Sequence, residues 1–175
     1  MEIYKCKKKC CTVKIQPYIS ERGYRPRRPN YKKAGIFIYD PDTDRVLLVQ
    51  SRGSLWGCPK GTLEIGEKPM VGAIREVMEE TGINVSNSLF TKWVDIKNRS
   101  TYYYLEMKAC KVNIQNHIKD NDANAITWIK LDCLEDFIKN GNIVLSFYTK
   151  LVFKSFLNIS FPQSNYKKIK YIKGK

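Results

Sequence analysis

The sequence predicts an α/β/α sandwich built around a mixed β-sheet, and two observations carry that expectation. Short runs of strand character are interleaved with three stretches of helical spacing, which fall between and after the strands. The chain has 175 residues, 43% of them hydrophobic, enough for one ordinary domain with its own core and short extra ends.

Residues 1–32 show no sustained periodicity, and Arg25-Pro26-Arg27-Arg28-Pro29 reads as an extended basic segment. Ala34–Tyr39 and Arg45–Gln50 are strands joined by the turn Asp40-Pro41-Asp42-Thr43-Asp44, and Ser51–Trp56 is a loop. Pro69 opens a helix, where its missing N–H does no harm, and Gly82 closes it after Thr81. Phe90–Asp95, Thr101–Val112 and Ile126–Lys130 are further strands. Asp132 caps a helix running to about Asn140, with Gly141 ending it. A last helix is expected near Ile143–Leu157, with Ile143, Val144, Phe147, Tyr148, Leu151, Val152 and Phe156 on its core stripe. Ser146, Thr149, Lys150 and Lys154 face away.

The net charge of +14 is unevenly spread. Residues 1–33 carry eleven Lys/Arg against Glu2 and Glu21, and residues 137–175 carry eight Lys and no acid, whereas the middle is slightly acidic. Basic ends interleaved with Tyr4, Tyr18, Tyr24, Tyr31, Tyr166 and Tyr171 point to contact with a polyanion such as RNA. Plain solubilising tails are the alternative. Met1–Lys9 is too charged for a secretory signal, and Ile143–Leu157, interrupted by Lys150 and Lys154, is too short to span a membrane. The six cysteines are therefore read as thiols of a reducing, cytoplasmic compartment. Cys6, Cys10 and Cys11 have the chemistry of zinc ligands but no second ligand pair at a recognised spacing.

The segment Gly61–Ile83 carries the chemistry. On a helix over Pro69–Thr81, Glu76, Glu79 and Glu80 are three and four residues apart and share one face, with Gly72 one turn earlier. Met70, Val71, Ile74, Val77 and Met78 are expected to bury the opposite face, and Arg75 sits to one side. Three crowded carboxylates repel one another, and a hard divalent cation with oxygen ligands removes that repulsion.

Gly61, five residues, Glu67, seven residues, then Arg75-Glu76-Val77-Met78-Glu79-Glu80-Thr81-Gly82-Ile83 resembles the Nudix box at each defining position. A chance match is on the order of one in a million. The resemblance implies a Nudix-type sandwich over residues 33–158, flanked by a basic segment at 1–32 and a basic tail at 159–175. It implies Mg2+ or Mn2+ held by Glu76, Glu79, Glu80 and the backbone carbonyl of Lys60. It also implies a Glu67–Arg75 ion pair and hydrolysis of a phosphoanhydride in a nucleoside-diphosphate-type substrate. Glu80 is the first candidate for the base and Glu76 the second. Relatives often take a further acid from a loop ahead of a strand like Ile126–Lys130; Asp122 or Glu106 could fill that place here.

The upstream Ser51-Arg52-Gly53-Ser54-Leu55-Trp56-Gly57-Cys58-Pro59-Lys60-Gly61 looks like the entrance of mRNA-decapping and dinucleoside polyphosphate members. Lys60 and Arg52 are placed to hold phosphates, and Trp56 either stacks on a base or wedges the loop. In the strand bearing Tyr102, Tyr103 and Tyr104, only Tyr103 faces the other way, and Tyr104 is a candidate for the base pocket. Basic ends favour capped RNA, cut to 7-methylguanosine diphosphate and 5′-monophosphate RNA. Dinucleoside polyphosphates, diphosphoinositol polyphosphates and a non-catalytic RNA-binding module are the alternatives.

Overall fold

The structure, a computed structural model, describes residues 2–15, 31–51, 55–86, 88–118, 121 and 123–161. It opens with a hairpin of β1 (Glu2–Lys5) and β2 (Thr12–Ile15), where the sequence reading found no periodicity. Val13 and Cys11 of this hairpin are buried, so residues 2–15 pack on the domain core. Four-residue strands are too short to announce themselves by alternation.

The main sheet has eight strands: β3 (Lys33–Asp40), β4 (Arg45–Gln50), β5 (Leu55–Gly57), β6 (Lys60–Thr62), β7 (Lys92–Ile96), β8 (Ser100–Glu106), β9 (Ala125–Lys130) and β10 (Val144–Leu145). It is mixed: β3 and β8 run parallel over Lys33–Tyr39, while β3–β4, β4–β9 and β7–β8 are antiparallel. β8 stops at Glu106, short of the expected Val112.

The feature that places the site is a fork. β3 and β4 pair only at their shared turn, Tyr39 with Val46 and Asp40 with Arg45. Beyond that they separate, and β4 pairs with β5 while β3 takes up β6 at Lys33–Gly35. The turn Cys58–Pro59 between β5 and β6 spans the gap, anchored by the Ile36 N–H donating to the Pro59 carbonyl at 3.1 Å.

Alternation along the strands builds two cores. Ile36, Ile38, Leu47, Tyr103 and Leu105 face α1 (Pro69–Thr81), meeting its Ala73 and Val77. Phe37, Val46, Leu48, Tyr102 and Tyr104 face α2 (Leu131–Lys139), α3 (Phe147–Leu157) and the hairpin. The α/β/α sandwich expected from the sequence is thus the observed fold.

Three helix readings are corrected. α2 begins at Leu131 with Lys130 at its N-cap, so Asp132 lies inside the first turn and does not cap the helix. Met70, Val71 and Met78 are exposed, and the buried stripe of α1 is Gly72, Ala73, Val77, Glu80 and Thr81. Positions 73, 77, 80 and 81 follow the 3.6-residue period, so the acid-bearing side is the side that meets the sheet. The last helix begins at Phe147, because Val144–Leu145 pairs with β5 as a strand instead. Ser146 then caps it, accepting from the Thr149 N–H at 3.2 Å, and that local bond pulls Thr149 into the interior while Phe147 turns outward.

Phe37 is fully buried between Phe153 at 5.0 Å, Tyr104 at 6.0 Å and Phe156 at 5.8 Å. Phe37→Ala should lower unfolding stability by about 3–5 kcal/mol, read as a drop in the urea midpoint at an unchanged slope.

Candidate active site

The acids of α1 are organised by one guanidinium. Arg75 Nε and Nη2 donate to the two Glu67 carboxylate oxygens at 2.9 and 3.0 Å, a bidentate pair. Its Nη1 donates to Glu76 Oε1 at 3.0 Å and to Glu79 Oε2 at 2.9 Å, and Nη2 also reaches the Thr62 carbonyl at 3.1 Å. Arg75 therefore does not sit to one side of the acids; it bridges three of them, because it precedes Glu76 directly and lies one turn before Glu79. The hydrogen bonds from Arg75 hold the Glu67 carboxyl below its usual range, and Glu67 in turn raises the guanidinium further.

Glu80 is compensated differently. It is 3% exposed, and its Oε2 accepts the Lys60 N–H at 2.9 Å. That bond joins α1 to the strand that fills the fork. Gly61 follows, and any Cβ there would run into the Glu76 carboxylate, so the missing side chain is what lets the strand close over the acids. At the other end, Gly82 takes the left-handed φ of 75° that ends α1.

Three carboxylates around one guanidinium, with Glu80 beside them, leave an excess of negative charge enclosed by oxygen donors. This donor set, with room kept for Glu76 by Gly61, fits a hard divalent cation of the magnesium or manganese kind. Glu76, Glu79 and Glu80, with the nearby backbone of Lys60, are the groups that could hold it.

Beside Lys60 opens a cleft of about 380 Å3 on the other side of the sheet. Lys33, Lys60 and Arg99 give it positive charge, and Tyr31 and Tyr148 give it aromatic walls. Trp56 and Tyr102, both essentially buried, also line it, and Trp56 Nε1 and the Tyr102 hydroxyl have no hydrogen-bond partner among the described residues. Burial holds the Tyr102 hydroxyl well above its ordinary pKa and pushes the neighbouring Cys58 thiol to about 12, so both stay protonated at neutral pH.

Several sequence-chosen residues fall elsewhere. Tyr104 is not in this cleft: it stacks on Phe37, contacts Phe156 and donates to Glu106 at 2.7 Å. Glu106 pairs with Tyr39 at the far end of β3, away from the Gly35–Lys60 pairing that marks the acid cluster. Arg52 and Asp122 lie outside the described residues. Asn121, next to Asp122 in the chain, donates to the Glu79 carbonyl at 2.8 Å, which docks this loop on the end of α1. Sequence reasoning missed Tyr102, Lys33 and Arg99. Their signal was register: Tyr102 opposes Gly35, which also opposes Lys60, and the Lys33 N–H donates to the Arg99 carbonyl at 2.8 Å.

Comparison with known proteins places the fold in a family. The model of the NUDIX domain matches residues 29–146. Protein 111R of Invertebrate iridescent virus 3, named as a hydrolase, is 31% identical over 147 residues, covering 78% of this chain and 82% of that one. The mRNA-decapping enzyme subunit 2 of Arabidopsis thaliana is 30% identical over 164 residues, 84% of this chain, but this chain spans only 43% of its length. Among solved structures, a bifunctional NMN adenylyltransferase/ADP ribose pyrophosphatase from Francisella tularensis, complexed with AMP and a manganese ion, aligns with a TM-score of 0.55. It is 22% identical, with 75% of this chain and 42% of that chain covered. The chain belongs to the Nudix family and is a hydrolase of pyrophosphate bonds. No helix among the described residues is long and apolar enough to cross a membrane.

The Glu67–Arg75 pair has a pH signature. Because the folded carboxyl titrates below its ordinary value of 4.5, its contribution is complete above that value and is lost as pH falls through the lower folded value. Glu67→Gln should lower stability by about 1–3 kcal/mol at pH 7. The gap in melting temperature between variant and parent should narrow as the pH is taken down to about 3. A gap that stays constant across that range would show that the pair does not act through charge.

Proposed function

We propose that this Nudix hydrolase removes the cap from 5′-capped RNA, releasing 7-methylguanosine diphosphate and leaving a 5′-monophosphate RNA. The observation that carries the reading is the cationic, aromatic cleft that meets the acid cluster at Lys60. It offers a flat aromatic surface for a base, cations for phosphates, and two buried donors, Trp56 Nε1 and the Tyr102 hydroxyl, for the edge of a base or an oxyanion. The basic residues at 22–28 and 167–175 favour a long polyanion over a substrate that ends within the cleft. The likeness to a decapping subunit over 84% of the chain supports the same substrate.

In this reading Glu76, Glu79 and Glu80, with the Lys60 carbonyl, hold Mg2+ or Mn2+. A cation bound by these groups would lower the pKa of a water and offset charge on the departing diphosphate. Glu80, oriented by the Lys60 N–H, takes the proton of the attacking water, with Glu76 next in line. Arg75 keeps Glu76 and Glu79 converged and ties Glu67 to the helix. Lys60, Lys33 and Arg99 hold the phosphates, and the aromatic walls orient the base.

The test is turnover of cap-labelled RNA of tens of nucleotides with Mg2+ or Mn2+. Free cap dinucleotide, a dinucleoside polyphosphate and a diphosphoinositol polyphosphate are run alongside. Long capped RNA should be hydrolysed fastest, with an advantage that shrinks as salt rises. Residues 2–15 pack on the core, so the basic segment is best tested by replacing Arg22, Arg25, Arg27 and Arg28 with Gln rather than by deletion. That change should flatten the salt dependence and leave small pyrophosphate substrates almost unaffected. Glu80→Gln should cut turnover by about 10²- to 10⁴-fold without loss of melting temperature. Equal rates on capped RNA and cap dinucleotide, or faster turnover of either polyphosphate, would rule out decapping.

A further inference from the structure

Four of the six cysteines converge at one point, far in sequence from the acid cluster. Cys6, Cys10 and Cys11 lie in the turn of the N-terminal hairpin, and Cys133 lies in the first turn of α2. Their sulfurs all lie within 4.8 Å of one another. Cys10 Sγ is 3.6 Å from that of Cys6, 3.4 Å from that of Cys133 and 4.0 Å from that of Cys11. A tetrahedral tetrathiolate with zinc–sulfur bonds near 2.3 Å has edges of about 3.8 Å, so these separations are those of its corners.

We infer that Cys6, Cys10, Cys11 and Cys133 form a structural zinc site that fastens the N-terminal hairpin to α2. The sequence hid it because the fourth ligand comes from a position 122 residues beyond Cys11. The turn is shaped for the role: the Cys6 N–H donates to the Cys11 carbonyl at 3.0 Å and the Lys9 N–H to the Cys6 carbonyl at 2.9 Å, with Lys9 at a left-handed φ of 56°. Backbone N–H groups point at the sulfurs, from Cys11 to Cys6 Sγ at 3.3 Å and from Lys130 to Cys11 Sγ at 3.5 Å, and such donors stabilise thiolates. Four thiolates around a dication carry a net double negative charge. Lys7, Lys8 and Lys9 in the same turn offset it, together with Arg45, whose Nη2 donates to the Cys10 carbonyl at 3.4 Å. Ion pairs from Lys8 to Asp132 at 3.1 Å and from Lys7 to Asp136 at 3.9 Å hold the same two elements together from outside.

Cys6, Cys11 and Cys133 are buried, and all four coordination positions are filled by protein, which marks the site as structural and not catalytic. The hairpin needs such a fastening, since two strands of four residues are marginal alone. The competing fate of close thiols is oxidation, and four this close could form one disulfide or two.

The decisive measurement is metal content of the full chain, produced with zinc in the medium and desalted. It is made in a Glu76→Gln, Glu79→Gln, Glu80→Gln background, so that the acid cluster cannot hold the ion. About one zinc per chain is expected, released when a mercurial blocks the thiols, with a fall in melting temperature. Cobalt in place of zinc should give the intense visible absorption of a tetrahedral tetrathiolate and thiolate-to-metal charge transfer in the near ultraviolet. Cys133→Ser should lose the ion while Cys110→Ser keeps it. If Cys133→Ser does not fold, the cobalt spectrum of the parent chain decides. A chain that retains no metal, that gives a cobalt spectrum without thiolate charge transfer, or that has a mass two or four hydrogens lower with one or two pairs of cysteines closed to alkylation would overturn the assignment.

Discussion

The guanidinium of Arg75 is the charge around which the acidic helix is assembled. Without it, Glu76 and Glu79 of α1 and Glu67 just ahead of it would share a small volume with nothing but mutual repulsion between them. Arginine suits the position because its planar fork can face Glu67 with one edge while its remaining nitrogen serves two further carboxylates. Lysine, a single point charge on a flexible stem, could not hold three acids at fixed separations. The pairing also anchors the stretch before α1, since the same guanidinium reaches the Thr62 carbonyl.

The second dependence runs through the sheet. Because β3 and β4 part after their turn, a short strand can enter between them and present backbone to α1 on one side and a cleft on the other. Lys60 is where the two faces meet: its N–H is fixed to Glu80, and its residue lines the cleft. The acid cluster and the cleft thereby lie on opposite faces of one sheet and meet at a single residue. A shift of β6 along β3 would misplace both at once, since one step of register turns every side chain to the other face.

Much of this was legible in the sequence. The span of α1, the strands Ala34–Tyr39 and Arg45–Gln50, and the sandwich itself follow from periodicity and from Pro69 and Gly82, which are local signals. What escaped was non-local. The five apolar residues of α1 suggested a buried face opposite the acids, but period 3.6 also admits a stripe through Ala73, Val77 and Glu80, and the Lys60 amide makes burial of that carboxylate tolerable. Tyr102 and Tyr104 are equivalent by alternation and share a face. Only the register against Gly35 and the packing of Phe156 place one in the cleft and the other in the core. Strands as short as Val144–Leu145 exist because a partner is waiting, and no window of sequence contains that partner.

The parallel pairing of Val144–Leu145 with Leu55–Trp56 has a consequence for the order in which the protein comes into being. The chain is made from its N-terminus, and Ser146 and Tyr148, which line the cleft, are among the last residues of the domain to appear. The glutamate helix and its arginine are complete long before, and everything that joins them is local to residues 60–81. A nascent chain therefore holds Arg75 and its acids before the last part of the cleft wall, Ser146 and Tyr148, has been made. Vectorial synthesis separates the two in time: the acid cluster is complete first, and the cleft is closed last.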